Sequence, residues 1–262
     1  MKLTFYKYQG TGNDFILIDN RTGRFDSKNE QLVSILCDRR FGIGADGLML
    51  LEDHDKYDFT MRYYNSDGKE ATMCGNGGRC IAAFAVHHDI VRTPEHFRFM
   101  AVDGLHEAKY ENGVVSLKMT ETGKIDTKSD HIFLDTGSPH YVTFVKDNSA
   151  IDIVKEGSKI RYSEEFKPIG GSNVNFVQII DDKTIKMRTY ERGVEDETLS
   201  CGTGAVASAI STALKQGHGN LFTVKVPGGE LQVKFEMDEN NLPHNIWLIG
   251  PAKFVFKGEM EV

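Results

Sequence analysis

The sequence predicts an α+β protein made of two similar halves. Strand-like runs outnumber helical segments along the 262 residues. Two glycine-rich motifs, each containing a cysteine, recur 127 positions apart at Cys74 and Cys201. Glycine is abundant (26 residues) and proline is scarce (6 residues), which is typical of a chain with many tight turns rather than of a disordered linker protein.

Short runs rich in β-branched and aromatic residues, bounded by Gly, Asn and Asp, are typical of strands. We predict such strands at 15–18, 47–51, 59–64, 114–119, 141–145, 176–180, 184–188 and 231–235. Helical signals are fewer and lie at 29–38, 78–88 and 204–215. The last two are Ala-rich and follow Gly-rich turns, so their small side chains permit close packing on all sides.

Four segments recur in the same order at a nearly constant offset. They are 11–15 with 136–140, 41–46 with 168–173, 64–65 with 190–191, and 72–78 with 199–205. Each match alone is weak, but four in one order predict two homologous halves. We therefore predict one domain at 1–119, completed by a returning strand at 249–262, and a second at 120–248. Such a pair is expected to hold its site in the cleft between the halves.

The composition argues against several classes of function. A net charge of −7 disfavours a nucleic-acid partner, because phosphate binding needs clustered Lys and Arg. No run of about 18 apolar residues occurs, and residues 1–7 lack the apolar core of a signal peptide. We therefore expect no membrane span and a cytoplasmic location, where the cysteines are reduced thiols.

Cys74 and Cys201 are each followed by Gly-x-Gly and an Ala-rich helical segment. A helix N-terminus favours a thiolate, and its free N–H groups can hold a carboxylate. Two such cysteines could bracket one carbon, so that one removes a proton and the other delivers a proton to the opposite face. Cys37 and Cys80 lack this context and are interpreted as small buried apolar residues.

Other interpretations of these motifs have less support. The segments 42–47 and 202–207 match GxGxxG and GxGxxA, but neither lies in a recognisable βαβ unit. Zinc sites need clustered ligands, and the closest cysteine pair, Cys74 and Cys80, is six positions apart. We therefore expect no cofactor and no metal. A Cys74–Cys201 disulfide remains open as a route of oxidative inactivation.

Several polar residues within the repeated motifs suit a small zwitterionic substrate. Arg192 could clamp a carboxylate, while Glu191 and amide oxygens could hold an ammonium group. The asparagines in question are Asn13, Asn65 and Asn173. Loop asparagines often serve only as turn formers, and Glu191–Arg192 could be a solvated ion pair. Their position beside the two cysteine motifs favours the functional interpretation.

These motifs resemble the diaminopimelate epimerase family. The segments that carry the resemblance are Gly12–Phe15, Tyr64–Gly68, Met73–Cys80, Tyr190–Gly193 and Cys201–Gly204. Proline racemases share the two-cysteine scheme, but they typically carry His after the first Cys-Gly and lack the Glu-Arg-Gly segment. The resemblance implies an isomerase that interconverts L,L- and meso-diaminopimelate without pyridoxal phosphate, in lysine and peptidoglycan-precursor synthesis.

The resemblance also implies a fold, an assembly and a set of roles. The implied fold has two pseudo-symmetric domains, each a curved, mostly antiparallel sheet around a central helix, and the implied assembly is a homodimer. Cys74 and Cys201 would be the acid–base pair, assisted by His140 and Glu191. The backbone of Gly75, Asn76, Gly202 and Thr203 would hold the reacting carboxylate. The rest of the diaminopimelate substrate would contact Asn13, Asn65, Ser138, Asn173, Glu191 and Arg192.

The chain departs from the family pattern at three places. Gly47 stands where the family often has Gln, Ser138 stands where it has Asn, and the turn at 191–198 is one residue longer than usual. Two alternative functions are compatible with parts of this pattern. One is a cofactor-independent racemase of the proline or hydroxyproline type. The other is a non-catalytic amino-acid-binding protein on the same fold, which predicts the loss of one cysteine, whereas both are present.

Overall fold

The computed structural model describes residues 2–261. Within them the chain forms two compact units, of which the first runs to Leu117 and resumes at Gly250, and the second spans Lys118–Ile249. The boundaries predicted after residue 119 and before residue 249 lie within two residues of these positions.

Strands account for most of the regular structure. In chain order they are β1 (Lys2–Gly10), β2 (Asn13–Asp19), β3 (Gly47–Glu52), β4 (Phe59–Asn65), β5 (Glu70–Ala71), β6 (Phe97–Ala101), β7 (Gly104–Glu111), β8 (Val114–Lys118), β9 (Asp126–Thr127), β10 (Ile132–Asp135), β11 (Pro139–Phe144), β12 (Asn173–Ile179), β13 (Thr184–Glu191), β14 (Asp196–Thr198), β15 (Leu221–Val226), β16 (Gly229–Met237), β17 (Pro243–Pro251) and β18 (Lys253–Glu261). Each of the strands predicted from sequence corresponds to one of these.

The α-helices are α1 (Glu30–Cys37), α2 (Gly75–His87), α3 (Ile153–Arg161) and α4 (Gly202–Gln216), and a 3₁₀ helix covers Lys167–Ile169. The predicted starts of α2 and α4 at residues 78 and 204 are too late, because glycines that weaken helix propensity lie in the first turn of both helices. None of the helices within residues 2–261 is long and apolar enough to span a membrane.

The two units repeat one pairing pattern. In the first, β1–β2 and β3–β4 are antiparallel, whereas β2–β3 and β4–β6 are parallel. In the second, β10–β11 and β12–β13 are antiparallel, whereas β11–β12 and β13–β15 are parallel. The sequence repeat is thus a repeat of topology, and the predicted α+β class with two similar domains is confirmed.

The strand registers correct one detail of the sequence repeat. Phe15 of β2 lies opposite Gly47 of β3, and His140 of β11 lies opposite Asn173 of β12. Asn173 therefore corresponds to Gly47 in the strand pairing, and not to Asp46 as in the alignment of 41–46 with 168–173. The correct alignment of these two segments is shifted by one residue.

Each unit surrounds one helix with sheet. Helix α2 packs against β1, β2, β3 and β7, and α4 packs against β10, β11, β12, β13, β15 and β16. The residues from Gly75 to Ala85 in α2 are all buried, as are nearly all from Gly202 to Ala213 in α4. A helix that is apolar on every side is stable only when it is buried on every side. The first turn of each helix therefore lies inside its unit.

Helix α3 was not predicted, and it supports the end of β13. Asp152 caps its N-terminus by accepting a hydrogen bond from Lys155 N at 3.0 Å. Its central residue, Gly157, is buried against Tyr190, because a Cβ atom at Gly157 would lie 2.4 Å from Tyr190 Cβ. Gly157 lowers the helix propensity of a polar segment, so propensity alone does not predict this helix. The close approach of the helix to Tyr190 nevertheless requires glycine at this position.

Gly157→Ala should lower the free energy of unfolding by about 1–3 kcal/mol, because the new methyl group overlaps Tyr190. Mid-helix Gly→Ala changes usually have the opposite sign, stabilising by roughly 0.5–1 kcal/mol. Urea unfolding of the two proteins measures the difference. Gly123→Ala is the control, since a Cβ atom there meets nothing within 4 Å. A Gly157→Ala variant more stable than the original protein would contradict the packing described.

Candidate active site

Cys74 and Cys201 occupy the N-cap positions of α2 and α4, as the sequence predicts. Both have extended backbone conformations, with φ −90° and ψ 132° at Cys74 and φ −119° and ψ 113° at Cys201. Neither side chain caps its helix. The first N–H groups of a helix have no partner within it, so the turns that begin at Gly75 and Gly202 present donors and a positive helix end beside each sulfur.

The Cys74 thiol faces an amide whose orientation is fixed. Asn13 Nδ2 donates to Asp46 Oδ2 at 2.6 Å, and a carboxylate can only accept. Asn13 Oδ1 therefore points the other way, where it accepts from Asn76 Nδ2 at 3.2 Å and from Cys74 Sγ at 3.7 Å. Asn13, at the start of β2, thus connects Asp46 with Asn76 and Cys74 at the start of α2.

Behind Asn13 lies a cluster of two cations and two anions. Lys7 Nζ lies 2.7 Å from Asp14, and Arg39 Nη2 lies 2.6 Å from both Asp14 and Asp46. Burial raises the pKa of Asp14, but the hydrogen bonds and charges of Arg39 and Lys7 outweigh burial and lower the pKa to about 2. Asp14 therefore stays ionised and helps to hold the Asn13 turn.

The second unit supports Cys201 through a buried histidine. Asn175 Nδ2 donates to Tyr141 O at 3.0 Å and lies 3.1 Å from His140 Nδ1, so Nδ1 must accept. The proton of a neutral His140 is then on Nε2, which lies 2.9 Å from Thr203 Oγ1. Thr203 Oγ1 lies 3.5 Å from Cys201 Sγ. With His140 as its donor, the Thr203 hydroxyl can direct its own hydrogen at the sulfur.

His140 is neutral at physiological pH. Its ring is fully buried, and this burial, with a smaller contribution from the Arg192 charge, lowers its pKa to about 3. An imidazole in this state is a directional hydrogen-bond donor rather than a cation.

Asn173 organises the neighbouring polar groups. Its Oδ1 accepts from Arg192 N at 2.9 Å, and its Nδ2 donates to Ser138 Oγ at 3.1 Å and to Pro139 O at 3.0 Å. Asn173 is only 4% exposed. The chain itself thus uses most of the hydrogen-bonding capacity of this amide, which positions Ser138 and the Arg192 backbone.

Glu195 fixes the loop that carries Glu191 and Arg192. Burial raises the pKa of Glu195, but hydrogen bonds from the Gly193 N–H and from three side chains outweigh burial and lower the pKa to about 2. These donors are Tyr162 at 2.7 Å, Tyr190 at 3.0 Å and Arg161 at 3.1 Å. Arg161 is the last residue of α3, and Tyr162 follows it directly. Their hydrogen bonds to Glu195 therefore attach the loop to that helix. Glu191 itself accepts from Thr198 Oγ1 at 2.6 Å.

Asn65 differs from the other asparagines because its side chain is exposed, at the end of β4 where a tight turn begins.

Among residues 2–261, no group of three or more His, Cys, Asp or Glu side chains could hold a metal ion. The four cysteines are free.

Comparisons with known proteins decide the family. The sequence model for diaminopimelate epimerase matches residues 5–124 and 132–255. The chain is 52% identical over 259 residues to the diaminopimelate epimerase of Flavobacterium psychrophilum, covering 98% of this chain and 99% of that protein. The chain belongs to the diaminopimelate epimerase family. It is therefore an isomerase, as the resemblance of its motifs implied.

Solved structures outside the diaminopimelate epimerase family share the fold. A phenazine biosynthesis protein of the PhzF family from Bacillus anthracis matches with a TM-score of 0.80 and 13% identity, over 100% of both chains. A hydroxyproline epimerase from Agrobacterium vitis, with bound trans-4-hydroxy-L-proline, matches with a TM-score of 0.72 and 13% identity, over 98% of this chain and 92% of that one. At these identities the likeness concerns the fold alone.

The structure explains one departure from the diaminopimelate epimerase pattern. A Cβ atom at Gly47 would lie 2.5 Å from Tyr64 O and 2.6 Å from the Tyr63 ring. The neighbouring strand thus fills the space that a longer side chain would need. At the second departure, the Ser138 hydroxyl lies 3.1 Å from His140 Nε2. Ser138 is therefore joined to the same polar network as His140.

Sequence reasoning missed several residues that support this site. Asn175 sets the His140 tautomer, Asp46 orients Asn13, and Thr136 Oγ1 donates to Thr203 O at 2.9 Å. A signal was present for Asn175, because an amide two positions after Asn173 in an apolar strand shares its buried face. Asp46 gave no signal beyond its place in the repeat.

The buried neutral His140 should make stability depend on pH. Its folded pKa of about 3 lies below the ordinary value of 6.5, so between these values the unfolded chain binds one more proton. Stability should therefore fall by about 2 kcal/mol from this group as the pH drops from 7 to 5. His140→Gln should remove that part of the slope in urea unfolding, whereas exposed His218→Gln should leave it. Equal slopes for the original protein and His140→Gln would contradict the assignment.

Proposed function

We propose that this chain is a cofactor-independent epimerase that interconverts L,L- and meso-diaminopimelate by moving protons between one substrate α-carbon and the thiols of Cys74 and Cys201. The carrying observation is a cysteine N-cap at each of two buried central helices, in a chain 52% identical to a named diaminopimelate epimerase. The reaction would serve the synthesis of lysine and of peptidoglycan precursors.

The proposed reaction has two proton transfers. One cysteine, as thiolate, takes the α-proton, and the C–H electron pair moves into the adjacent carboxylate. The other cysteine, as thiol, then gives its proton to the opposite face of the carbon and becomes the thiolate. Mass and charge balance without an oxidant or reductant. The mechanism requires the two sulfurs to act from opposite faces of one carbon, with one thiolate and one thiol at the start.

The helix N-termini would stabilise the negative charge that develops on the carboxylate. Backbone N–H groups of Gly75, Asn76, Gly202 and Thr203 belong to first turns, where helix geometry leaves donors without intrahelical partners. Donors that are already in place when charge develops lower the barrier more than mobile solvent does. This arrangement supplies the stabilisation that other racemases obtain from a cofactor.

The flanking residues would assist the thiols and recognise the substrate. Thr203, held by His140, can donate to a Cys201 thiolate, whereas Asn13 accepts from a Cys74 thiol. Arg192 would pair with a carboxylate and Glu191 would assist catalysis and hold an ammonium group. Ser138, Asn65 and Asn173 would complete the contacts to the distal L-centre.

A proline-type racemase remains the alternative, but the chain favours diaminopimelate. A substrate with a second zwitterionic end needs additional polar groups, and Asn65, Glu191 and Arg192 supply them. A cytoplasmic location also belongs to the proposal, because free thiols persist in a reducing compartment. A homodimer, as the family resemblance implies, is the proposed assembly.

Replacing either proposed acid–base residue should abolish turnover. Cys74→Ala and Cys201→Ala should each lower kcat with meso-diaminopimelate by a factor of about 10²–10⁴ or more, since each removes an obligatory proton carrier. Chromatographic separation of the isomers measures the rate in both directions. Cys37→Ala is the matched control, because Cys37 is buried in an apolar cluster and burial raises its pKa to about 12.

Circular dichroism on each variant separates loss of chemistry from loss of fold. Turnover by folded Cys74→Ala or Cys201→Ala at the rate of the original protein would exclude the two-base mechanism. Rapid inversion of proline but not of diaminopimelate by the original protein would instead support the alternative substrate.

A further inference from the structure

Arg79 is a buried cation without an anionic partner. It lies in α2, is 0% exposed, and donates from Nη1 to Gly75 O at 3.3 Å. Its Nη2 donates to Asn76 Oδ1 at 3.0 Å and to Thr11 Oγ1 at 3.3 Å, while its Nε has no hydrogen-bond partner. All three acceptors are uncharged. Buried charges are ordinarily paired with opposite charges, so this exception needs a reason.

The surrounding charged groups do not neutralise Arg79. The cluster behind Asn13 contains two positive charges, on Lys7 and Arg39, and two negative charges, on Asp14 and Asp46. These charges cancel one another. Within residues 2–261, no carboxylate lies at ion-pair distance from Arg79. Burial lowers the pKa of Arg79 to about 10, which still leaves it charged at neutral pH.

Two cysteines, Cys80 and Cys74, lie near enough to this cation that a thiolate at either position would interact with its charge. Cys80 is fully buried, and burial raises its pKa to about 12, so it remains a thiol. Tyr8 is also near Cys80, and burial raises its pKa above the ordinary range. Cys74 is only half-buried and occupies the N-cap position of α2. It is thus the group at this helix start that can offer Arg79 a negative charge.

We propose that Arg79 is a positioning residue, whose buried guanidinium holds the Asn76 side chain beside Cys74 and favours the thiolate form of Cys74. The hydrogen-bond path runs from Arg79 Nη2 to Asn76 Oδ1, and from Asn76 Nδ2 to Asn13 Oδ1, which faces the sulfur. Asn13 Oδ1 by itself favours the protonated thiol, because it accepts a hydrogen bond. A permanent cation nearby offsets that preference and keeps both protonation states of Cys74 accessible.

The backbone is fitted to this side chain. A Cβ atom at Gly10 would lie 3.2 Å from Arg79 Nη2 and 3.2 Å from Asn76 O, so a side chain there would have to displace the guanidinium or β1 by a few tenths of an ångström. The other unit lacks this device. The residue five positions after Cys201 is Val206, and the polar support there comes from the neutral His140 instead. The two cysteines therefore lie in electrostatically unlike surroundings.

The inference deepens the proposed function, and its test does not depend on turnover. The rate of alkylation by iodoacetamide at each cysteine, followed against pH by mass spectrometry of the peptides, reports thiolate formation. In Arg79→Met, the pH midpoint for Cys74 should rise by about one unit or more, because the opposite charge is lost. The midpoint for Cys201, measured in the same sample, should not move.

Arg188→Met is the matched control, since Arg188 is a half-buried arginine of the second unit that pairs with Glu197 at 2.6 Å. An unchanged Cys74 midpoint in folded Arg79→Met would overturn the proposal, as would an equal shift in Arg188→Met. Should Arg79→Met not fold, Arg79→Gln decides, because glutamine keeps a donor near Asn76 but carries no charge. A raised Cys74 midpoint in folded Arg79→Gln supports the proposal, and an unchanged midpoint overturns it. Absence of epimerase activity would not change these alkylation midpoints, so this proposal and the proposed function can fail separately.

Discussion

The burial of two helix N-termini is the constraint on which the rest of the structure depends. A buried first turn leaves several backbone N–H groups without intrahelical partners, and such groups are costly unless something accepts from them. In α2 and α4 the N-cap residue is a cysteine whose side chain does not fill this role. The need for an acceptor and the positive helix end together make each turn suited to a carboxylate. The small residues of both helices allow sheet to surround them closely, and this keeps those turns away from water.

The two units keep one topology but support their cysteines by different means. In the first unit a buried cation, Arg79, orients an amide beside Cys74. In the second, a neutral buried histidine, His140, orients a hydroxyl beside Cys201. A reaction that begins with one thiolate and one thiol benefits from unlike surroundings, because two identical sites would compete for the same proton. The difference arises from side chains alone, since the strand order and pairing directions are repeated.

The sequence was sufficient for the features that depend on local pattern and repetition. The α+β class, the two halves, and the placement of both cysteines at helix starts follow from periodicity and from a recurring Gly-rich motif. Helix α3 escaped prediction because Gly157 lowers its local propensity, although tertiary packing on Tyr190 requires that glycine. The supporting roles of Asn175 and Arg79 depend on contacts between distant segments, which no local pattern records. The correspondence of Gly47 with Asn173 likewise needed the strand registers.

Isotope incorporation in heavy water tests the central claim, that Cys74 and Cys201 act as separate acid and base at one α-carbon. Under initial-rate conditions, the product formed from L,L-diaminopimelate should carry deuterium at the inverted carbon and none at the distal one, because a solvent-exchanged thiol delivers the new proton. Recovered substrate should carry little label, since the first thiol returns the proton that it took. Product that retains the substrate's own hydrogen, or label at both α-carbons, would contradict the account.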